Sequence, residues 1–335
     1  MKIAVVGTGL IGALHARIFH ADPRCTLVAV CDTDPARAQT LAADLGCRAY
    51  SHHAEMFAAE DLDAASIATP ETARHDPALS GAQKGLSLML EKPLGRTLAD
   101  VDRLIADLGA TGGPAPAVNF ILHAEPRFDR MKQLVAEGAL GRLVSIFARR
   151  RGTRAGIEKY APWTDLLSST LIHDIEMTLA INPSPPQRVY AEAVIRECAD
   201  YGSHDAVVAT LRFEDGTVAV FETSWVLPTT QPAPLDPAFH VIGDRGGVTI
   251  EGADCGMTVL GAEGFSRPDL THWPIGPAGQ VGGALAGSLQ GFITRTLAGT
   301  PHPVGLAQAR AAEAVVAAMK RSIAEERPVR IDELE

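Results

Sequence analysis

Gly7, Gly9 and Gly12, within Gly7-Thr8-Gly9-Leu10-Ile11-Gly12, follow the apolar run Ile3–Val6 and open a helical pattern. A turn of this kind presents backbone N–H groups and the positive end of a helix dipole to a diphosphate. Gly7 allows the tight turn, Gly9 lets a pyrophosphate approach the backbone, and Gly12 lets helix and strand pack closely. Asp32 ends the second apolar run, Leu27–Cys31. Its carboxylate can take both ribose hydroxyls and would repel a 2′-phosphate, so NAD is the expected cofactor and NADP the less favoured one. Arg37, nearby in sequence, weighs the other way.

Glu91-Lys92-Pro93 follows the apolar run Leu86–Leu90. A lysine at the carboxyl end of a parallel strand points into the crevice where such sheets bind ligands. Its ammonium can hold a substrate hydroxyl, or exchange a proton with it if burial makes the amine easier to deprotonate. Spacing alone leaves a surface lysine equally open. Arg149-Arg150-Arg151-Gly152-Thr153-Arg154 gathers forked guanidinium groups suited to a carboxylate or phosphate, although charge runs at strand ends are usually solvated or paired. Tyr160, Trp163 and Trp225 either line a pocket or fill a core, and His75, His240 and His272 have no partner identifiable from sequence.

The elements that must position these groups can be read from the periodicity. Apolar runs at Ile3–Val6, Leu27–Cys31, Ala64–Ala68, Leu86–Leu90 and Ala117–Leu122 alternate with helical patterns at Ala13–His20, Asp34–Leu45, Asp76–Gln83 and Leu98–Leu108. Such alternation predicts a parallel sheet covered on both faces, because parallel strands need crossover connections. Thr97 and Asp100 form a helix-start signal. Beyond about residue 118 the pattern changes. Helices are predicted at Pro126–Gly138 and Leu166–Ala180, among β-like runs at Leu143–Arg150, Arg188–Ile195, Ala206–Phe213, Val218–Trp225, Phe239–Ile242 and Val248–Glu251. The turn Glu214-Asp215-Gly216-Thr217 joins two runs as a hairpin, so this half reads as a mainly antiparallel sheet with helices on one face. Two helices follow, at Leu285–Leu297 and Leu306–Glu325. The expected division is one domain over 1–118 and a second over 119–335.

Length and composition agree with two globular domains: 335 residues, 46% hydrophobic and 21% charged. With 30 basic against 40 acidic residues the net charge is −10, which disfavours nucleic acid and anionic membrane surfaces as partners. Cys25, Cys31, Cys47, Cys198 and Cys255 show no paired or metal-like spacing, so no metal site is expected and free thiols in a reducing compartment are. The apolar run after Lys2 is too short for an export signal, and no stretch is long enough to span a membrane. The expected location is the cytoplasm.

Taken in order, the motifs resemble those of the Gfo/Idh/MocA family, the glucose–fructose oxidoreductase and inositol dehydrogenase group. The matching pieces are the glycine turn, Ala68-Thr69-Pro70, Glu91-Lys92-Pro93, Ser168-Ser169-Thr170-Leu171-Ile172-His173-Asp174-Ile175-Glu176, Leu211-Arg212-Phe213-Glu214-Asp215-Gly216 and Gly243-Asp244-Arg245-Gly246-Gly247. The resemblance implies an α/β fold: an N-terminal Rossmann doubly wound parallel sheet, then a C-terminal α/β domain whose mainly antiparallel open sheet makes the contact of a homodimer or homotetramer. It implies dinucleotide contacts from Gly7, Gly9, Leu10, Ile11, Gly12, Asp32, Thr69, Pro70, Glu91 and Lys92. The implied substrate is a small polyol, sugar or sugar acid, oxidised or reduced at one hydroxyl.

In inositol dehydrogenase-like members the lysine of Glu-Lys-Pro and a helix histidine handle the proton, and Lys92 and His173 match these positions. The assisting carboxylate four residues earlier is Ser169 here, and a serine hydroxyl cannot accept a proton as a carboxylate does. Asp165 and Asp174 are not obvious substitutes. His123 stands where many relatives have arginine, and Arg150 and Glu176 fall on substrate-contact positions with Ser169. Two other activities occur on the same scaffold, an NAD-using glycosidase and a non-catalytic dinucleotide sensor.

Overall fold

The computed structural model describes residues 1–262 and 264–334. The chain forms two compact units, one of Met1–Ala124 with Trp273–Arg310, the other of Glu125–His272 with Ala311–Glu335.

The first unit begins β1 (Lys2–Val6), α1 (Leu10–Ala21), β2 (Thr26–Cys31), α2 (Pro35–Leu45), β3 (Arg48–Tyr50) and α3 (His53–Ala59). It continues β4 (Ala64–Ile67), α4 (His75–Gln83), β5 (Ser87–Leu90), α5 (Leu98–Ala110) and β6 (Ala117–Val118). The strands lie in the order β3-β2-β1-β4-β5-β6, all parallel. Ile3–Val6 and Ala64–Ile67 are buried throughout, as strands covered on both faces must be. Since β1 lies between β2 and β4, the winding reverses beside β1, and the crevice at the carboxyl ends opens there. Helix starts follow local chemistry. Asp34 accepts the N–H groups of Ala36 and Arg37 ahead of α2, and Thr97 and Asp100 cap each other reciprocally at α5. The strand expected over Ala117–Leu122 is shorter than its apolar run. Phe120 N folds back onto Val118 O at 3.0 Å, and Ile121–Ala124 becomes a 3-10 turn.

The second unit contains α6 (Pro126–Ala136), β7 (Leu143–Thr153), α7 (Ala155–Tyr160), a π-helical turn (Leu167–Leu171) and α8 (Ile172–Ile181). The strands β8 (Pro186–Val194), β9 (Ala206–Phe213), β10 (Val218–Leu227), β11 (Leu235–Gly243) and β12 (Gly247–Glu251) follow. After the small hairpin β13 (Val259–Gly261) and β14 (Gly264–Ser266), the chain forms α9 (Gly283–Ala298) in the first unit, then α10 (Leu306–Glu325) and β15 (Val329–Arg330). The second sheet has the order β12-β11-β7-β10-β9-β8-β15 and is antiparallel except between β7 and β10. Gly216 takes φ +91° in the β9–β10 turn, the backbone state predicted for Asp-Gly.

Two further features depart from the sequence expectation. The helix predicted over Leu166–Ala180 opens with the π-helical turn, where the Ser169 hydroxyl donates to Asp165 O at 2.7 Å alongside its own N–H at 2.9 Å; such back-bonding perturbs a regular ladder. The segment Trp273–Arg310 belongs to the first unit, whereas 119–335 was expected as one domain. The reason is hydrophobic. Leu285, Leu289, Phe292 and Ile293 of α9 join Ile3, Val5 and Phe19 in one buried cluster. Among the described residues no helix is long and apolar enough to cross a membrane.

Candidate active site

The glycine turn bears out the steric requirement at two positions. Gly7 has φ +88°, and a Cβ there would lie 2.8 Å from the Ala68 carbonyl carbon. A Cβ on Gly12 would lie 1.7 Å from Gly7 O, so α1 can dock against β1 only without a side chain. Around Gly9, by contrast, the space is open. Gly9 is the N-cap of α1 and offers no side-chain cap, and the helical ladder begins with Ala13 N on Gly9 O at 2.9 Å. The preceding N–H groups, from Leu10 through Gly12, are donors left for an anion. Across the switch point, Thr69 Oγ1 is buried with no partner among the described residues, and Pro70 is exposed. This cradle fits a dinucleotide diphosphate. Gly12→Ala is expected to abolish NAD binding, measured by fluorescence titration, while a Gly9→Ala control still folds; unchanged affinity in Gly12→Ala would contradict the packing argument.

Asp32 is positioned from both sides. Its Oδ2 accepts Thr8 N at 2.7 Å and Thr8 Oγ1 at 2.9 Å, and its Oδ1 accepts Asp34 N at 2.9 Å. Burial opposes its charge, but these hydrogen bonds and Arg37 outweigh it and hold the carboxyl below the usual range. Arg37 lies 3.4 Å from Asp32 and 3.5 Å from Asp34, so its charge is already matched by carboxylates.

Lys92 follows β5 and is half-buried, its peptide bond to Pro93 cis. The side chain of Glu91 turns inward, where it accepts Asn119 Nδ2 at 2.5 Å and lies 3.2 Å from His15 Nε2. Despite its burial, which opposes charge, His15, Lys92 and Asn119 bring its carboxyl below the ordinary value. His123, half-buried in the 3-10 turn Ile121–Ala124, completes the predicted residues of the first unit.

In the second unit, Ser169 and His173 are half-buried and Glu176 is buried, all on the π-turn and α8. Asp165 does not stand in for the carboxylate missing at Ser169. Its Oδ1 accepts Leu167 N and Ser168 N, both at 3.0 Å, and its Oδ2 takes Ser168 Oγ at 2.8 Å and Lys320 Nζ at 2.7 Å. It is a capping group, kept ionised against burial by Lys320.

The arginine cluster is paired. Arg150, expected at the substrate, is only 4% exposed and forks onto Asp174, with Nε 2.6 Å from Oδ2 and Nη2 2.9 Å from Oδ1. Its Nη1 also meets His272 Nε2 at 3.0 Å. Arginine has only donors, so that nitrogen must accept, and the ring proton sits on Nδ1, which faces Asp269 Oδ2 at 2.7 Å. Arg149 pairs with Asp236 and Glu251, Arg151 with Glu222 and Asp236, and Arg154 with Glu197. Asp174, set aside on sequence grounds, is thus the partner of Arg150. The three histidines without assigned partners also face carboxylates: His75 meets Asp107, His240 meets Glu251 and His272 meets Asp269. Trp225 is core, donating to Thr170 Oγ1 at 3.0 Å, while Trp163 is exposed. Among the described residues no cluster of three or more His, Cys, Asp or Glu is placed to hold a metal ion.

Comparison with known proteins gives the family and the fold. Residues 1–113 match a family model described as an oxidoreductase family with an NAD-binding Rossmann fold, and residues 128–249 match the GFO/IDH/MocA C-terminal domain. The chain is similar to an inositol 2-dehydrogenase of Rhizobium meliloti, 25% identical over 338 residues and 99% of each chain. It is also similar to a myo-inositol dehydrogenase of Streptomyces leeuwenhoekii, 26% identical over 308 residues and 90% of each. In fold it resembles the scyllo-inositol dehydrogenase of Lactobacillus casei, solved with NAD(H) and scyllo-inositol, at TM-score 0.86, 20% identity and 99% coverage of both chains. Both halves of the chain thus carry the family's signatures on the family's fold, and the protein is a member of the Gfo/Idh/MocA family of NAD-binding oxidoreductases.

Proposed function

We propose that this oxidoreductase oxidises one secondary hydroxyl of a neutral cyclitol or sugar, with Lys92 and His173 dividing the work on the oxygen. Lys92, at the carboxyl end of β5 beside a buried and ionised Glu91, is the observation that carries the reading. Bound NAD supplies the hydride acceptor at nicotinamide C4. The Lys92 ammonium stabilises negative charge developing on the substrate oxygen, and His173 takes its proton. A neutral substrate is favoured because each guanidinium of the arginine cluster already faces a carboxylate. A panel of cyclitols, aldoses and uronic acids tests the reading through NADH formation; steady turnover with none of them would overturn it.

The cofactor preference follows from Asp32. NAD is expected to bind at least about tenfold more tightly than NADP, since a 2′-phosphate would meet a carboxylate, and Asp32→Ala is expected to erase most of that difference. Equal titration of both dinucleotides by the parent protein would remove this role from Asp32.

The second unit is, on this reading, the substrate and assembly domain of a cytoplasmic homodimer or homotetramer. On the sheet face opposite the helices, cross-strand register groups Phe147 with Val220 and His240, and Val208 with Glu222. Val208 and Ile242 are exposed there. The five cysteines are all free thiols, which suits a reducing compartment. Val208→Glu is expected to yield monomers in light scattering; an unchanged oligomer would place the contact elsewhere.

A further inference from the structure

Four buried side chains and the half-buried Ser288, from five parts of the first unit, form a continuous polar chain that includes Glu91, the residue before Lys92. Ser66 on β4 bonds His15 on α1, with Oγ 2.8 Å from Nδ1. His15 Nε2 lies 3.2 Å from Glu91 Oε1, and Asn119 Nδ2 donates to the same oxygen at 2.5 Å. Ser288 Oγ on α9 donates to Asn119 Oδ1 at 2.7 Å. With Oδ1 of Asn119 taken by Ser288, its amide N–H₂ faces Glu91 and also lies 3.3 Å from His15 Nε2. An ionised carboxylate can only accept, so the contact between His15 Nε2 and Glu91 is made by the imidazole form with a proton on Nε2. His15 is fully buried and Glu91 nearly so.

A buried carboxylate without such donors would take up a proton and become neutral. Here two fixed donors keep it ionised, and the residue beside it in the chain is Lys92. The ionisable groups acting on Glu91 are His15 from α1 and Lys92 from its own strand end; Ser66, Asn119 and Ser288 add uncharged dipoles. Attraction between two charges is reciprocal, so a Glu91 carboxylate stabilised by Lys92 stabilises the Lys92 ammonium in turn.

We propose that His15 is a positioning residue for the reaction: by holding Glu91 ionised it keeps Lys92 an ammonium, which makes Lys92 the electrostatic clamp on the substrate oxygen and leaves proton removal to His173. This rests on the function proposed above, and assigns roles within it that the motif alone leaves open. It also accounts for a polar chain that makes no use of the nucleotide cradle.

The test is a titration that needs no substrate. The full-length chain, with and without NAD, carries 13C-dimethyl groups on its lysines, and the Lys92 resonance is assigned by its loss in Lys92→Arg. In Glu91→Gln, which keeps the shape and removes the charge, the Lys92 midpoint is expected to fall by about one pH unit. His15→Ala is expected to shift it in the same direction by less, and His15→Gln, which restores an N–H toward Glu91, to bring it back. An unchanged circular dichroism spectrum and urea midpoint mark the folded variants, and the volume-preserving Glu91→Gln and His15→Gln guard against loss of fold. A Lys92 midpoint unmoved in Glu91→Gln overturns the inference. A midpoint that falls as expected, in a protein that oxidises no member of the polyol panel, leaves the coupling from His15 through Glu91 to Lys92 standing and overturns the functional reading alone.

Discussion

Lys92→Ala is expected to lower kcat by about 10³-fold, the usual scale for removing one preorganised donor at a developing oxyanion. NAD affinity is expected to stay within roughly threefold, because the diphosphate is held by backbone donors of the α1 N-terminus and not by the lysine. The contrast between the two readouts is what makes the experiment decisive. A general defect in the first unit would weaken the nucleotide cradle and turnover together, since Gly7, Ala68 and Thr69 are in close steric contact. His173→Ala is expected to cost roughly 10²- to 10⁴-fold, as for a proton-transfer group, and Ser169→Ala little, since the Ser169 hydroxyl is engaged with Asp165 O. A Lys92→Ala enzyme that reduces NAD at the parent rate would refute the assignment.

The second large effect belongs to Arg150. Both partners of the Arg150–Asp174 pair are almost fully buried, at 4% and 1% side-chain exposure, so removing one strands the other's charge away from water. Arg150→Met is expected to destabilise the protein by about 3–5 kcal/mol, read as a fall in the urea midpoint. The double variant Arg150→Met with Asp174→Leu is expected to recover most of that loss, because replacing a whole buried pair by apolar groups is often nearly neutral. The opposite result is equally informative. A stable Arg150→Met protein with altered substrate selectivity would return this arginine to the substrate, where the motif comparison had put it.

The glycine turn, Asp32 and the five principal strands of the first sheet could be read directly from the chain, and so could most helices. These signals are local. A diphosphate cradle needs glycine at fixed offsets, and buried parallel strands need unbroken apolar runs. Edge elements were missed for the same reason: Arg48–Tyr50 pairs with β2 at one side only and carries no such run. The π-helical turn before α8 was equally hidden, since Ser169 reads as an ordinary helix position until its hydroxyl is seen on Asp165 O.

Charge pairing lies at the other extreme. Arg149-Arg150-Arg151 looks like an anion site in sequence because its partners are distant along the chain: Asp174 on α8, Glu222 on β10, Asp236 on β11. The same holds for His15 and Glu91, brought within 3.2 Å only when α1 packs over the sheet. The amino-acid sequence alone determined the nucleotide-binding half, because steric and periodic requirements act between near neighbours, while Lys92 and His173 stood out as candidate reacting groups only through the resemblance of their motifs to the family's. Which charges remain available for chemistry was decided only by the tertiary structure, because a buried charge must find its partner wherever the fold brings one within hydrogen-bonding distance.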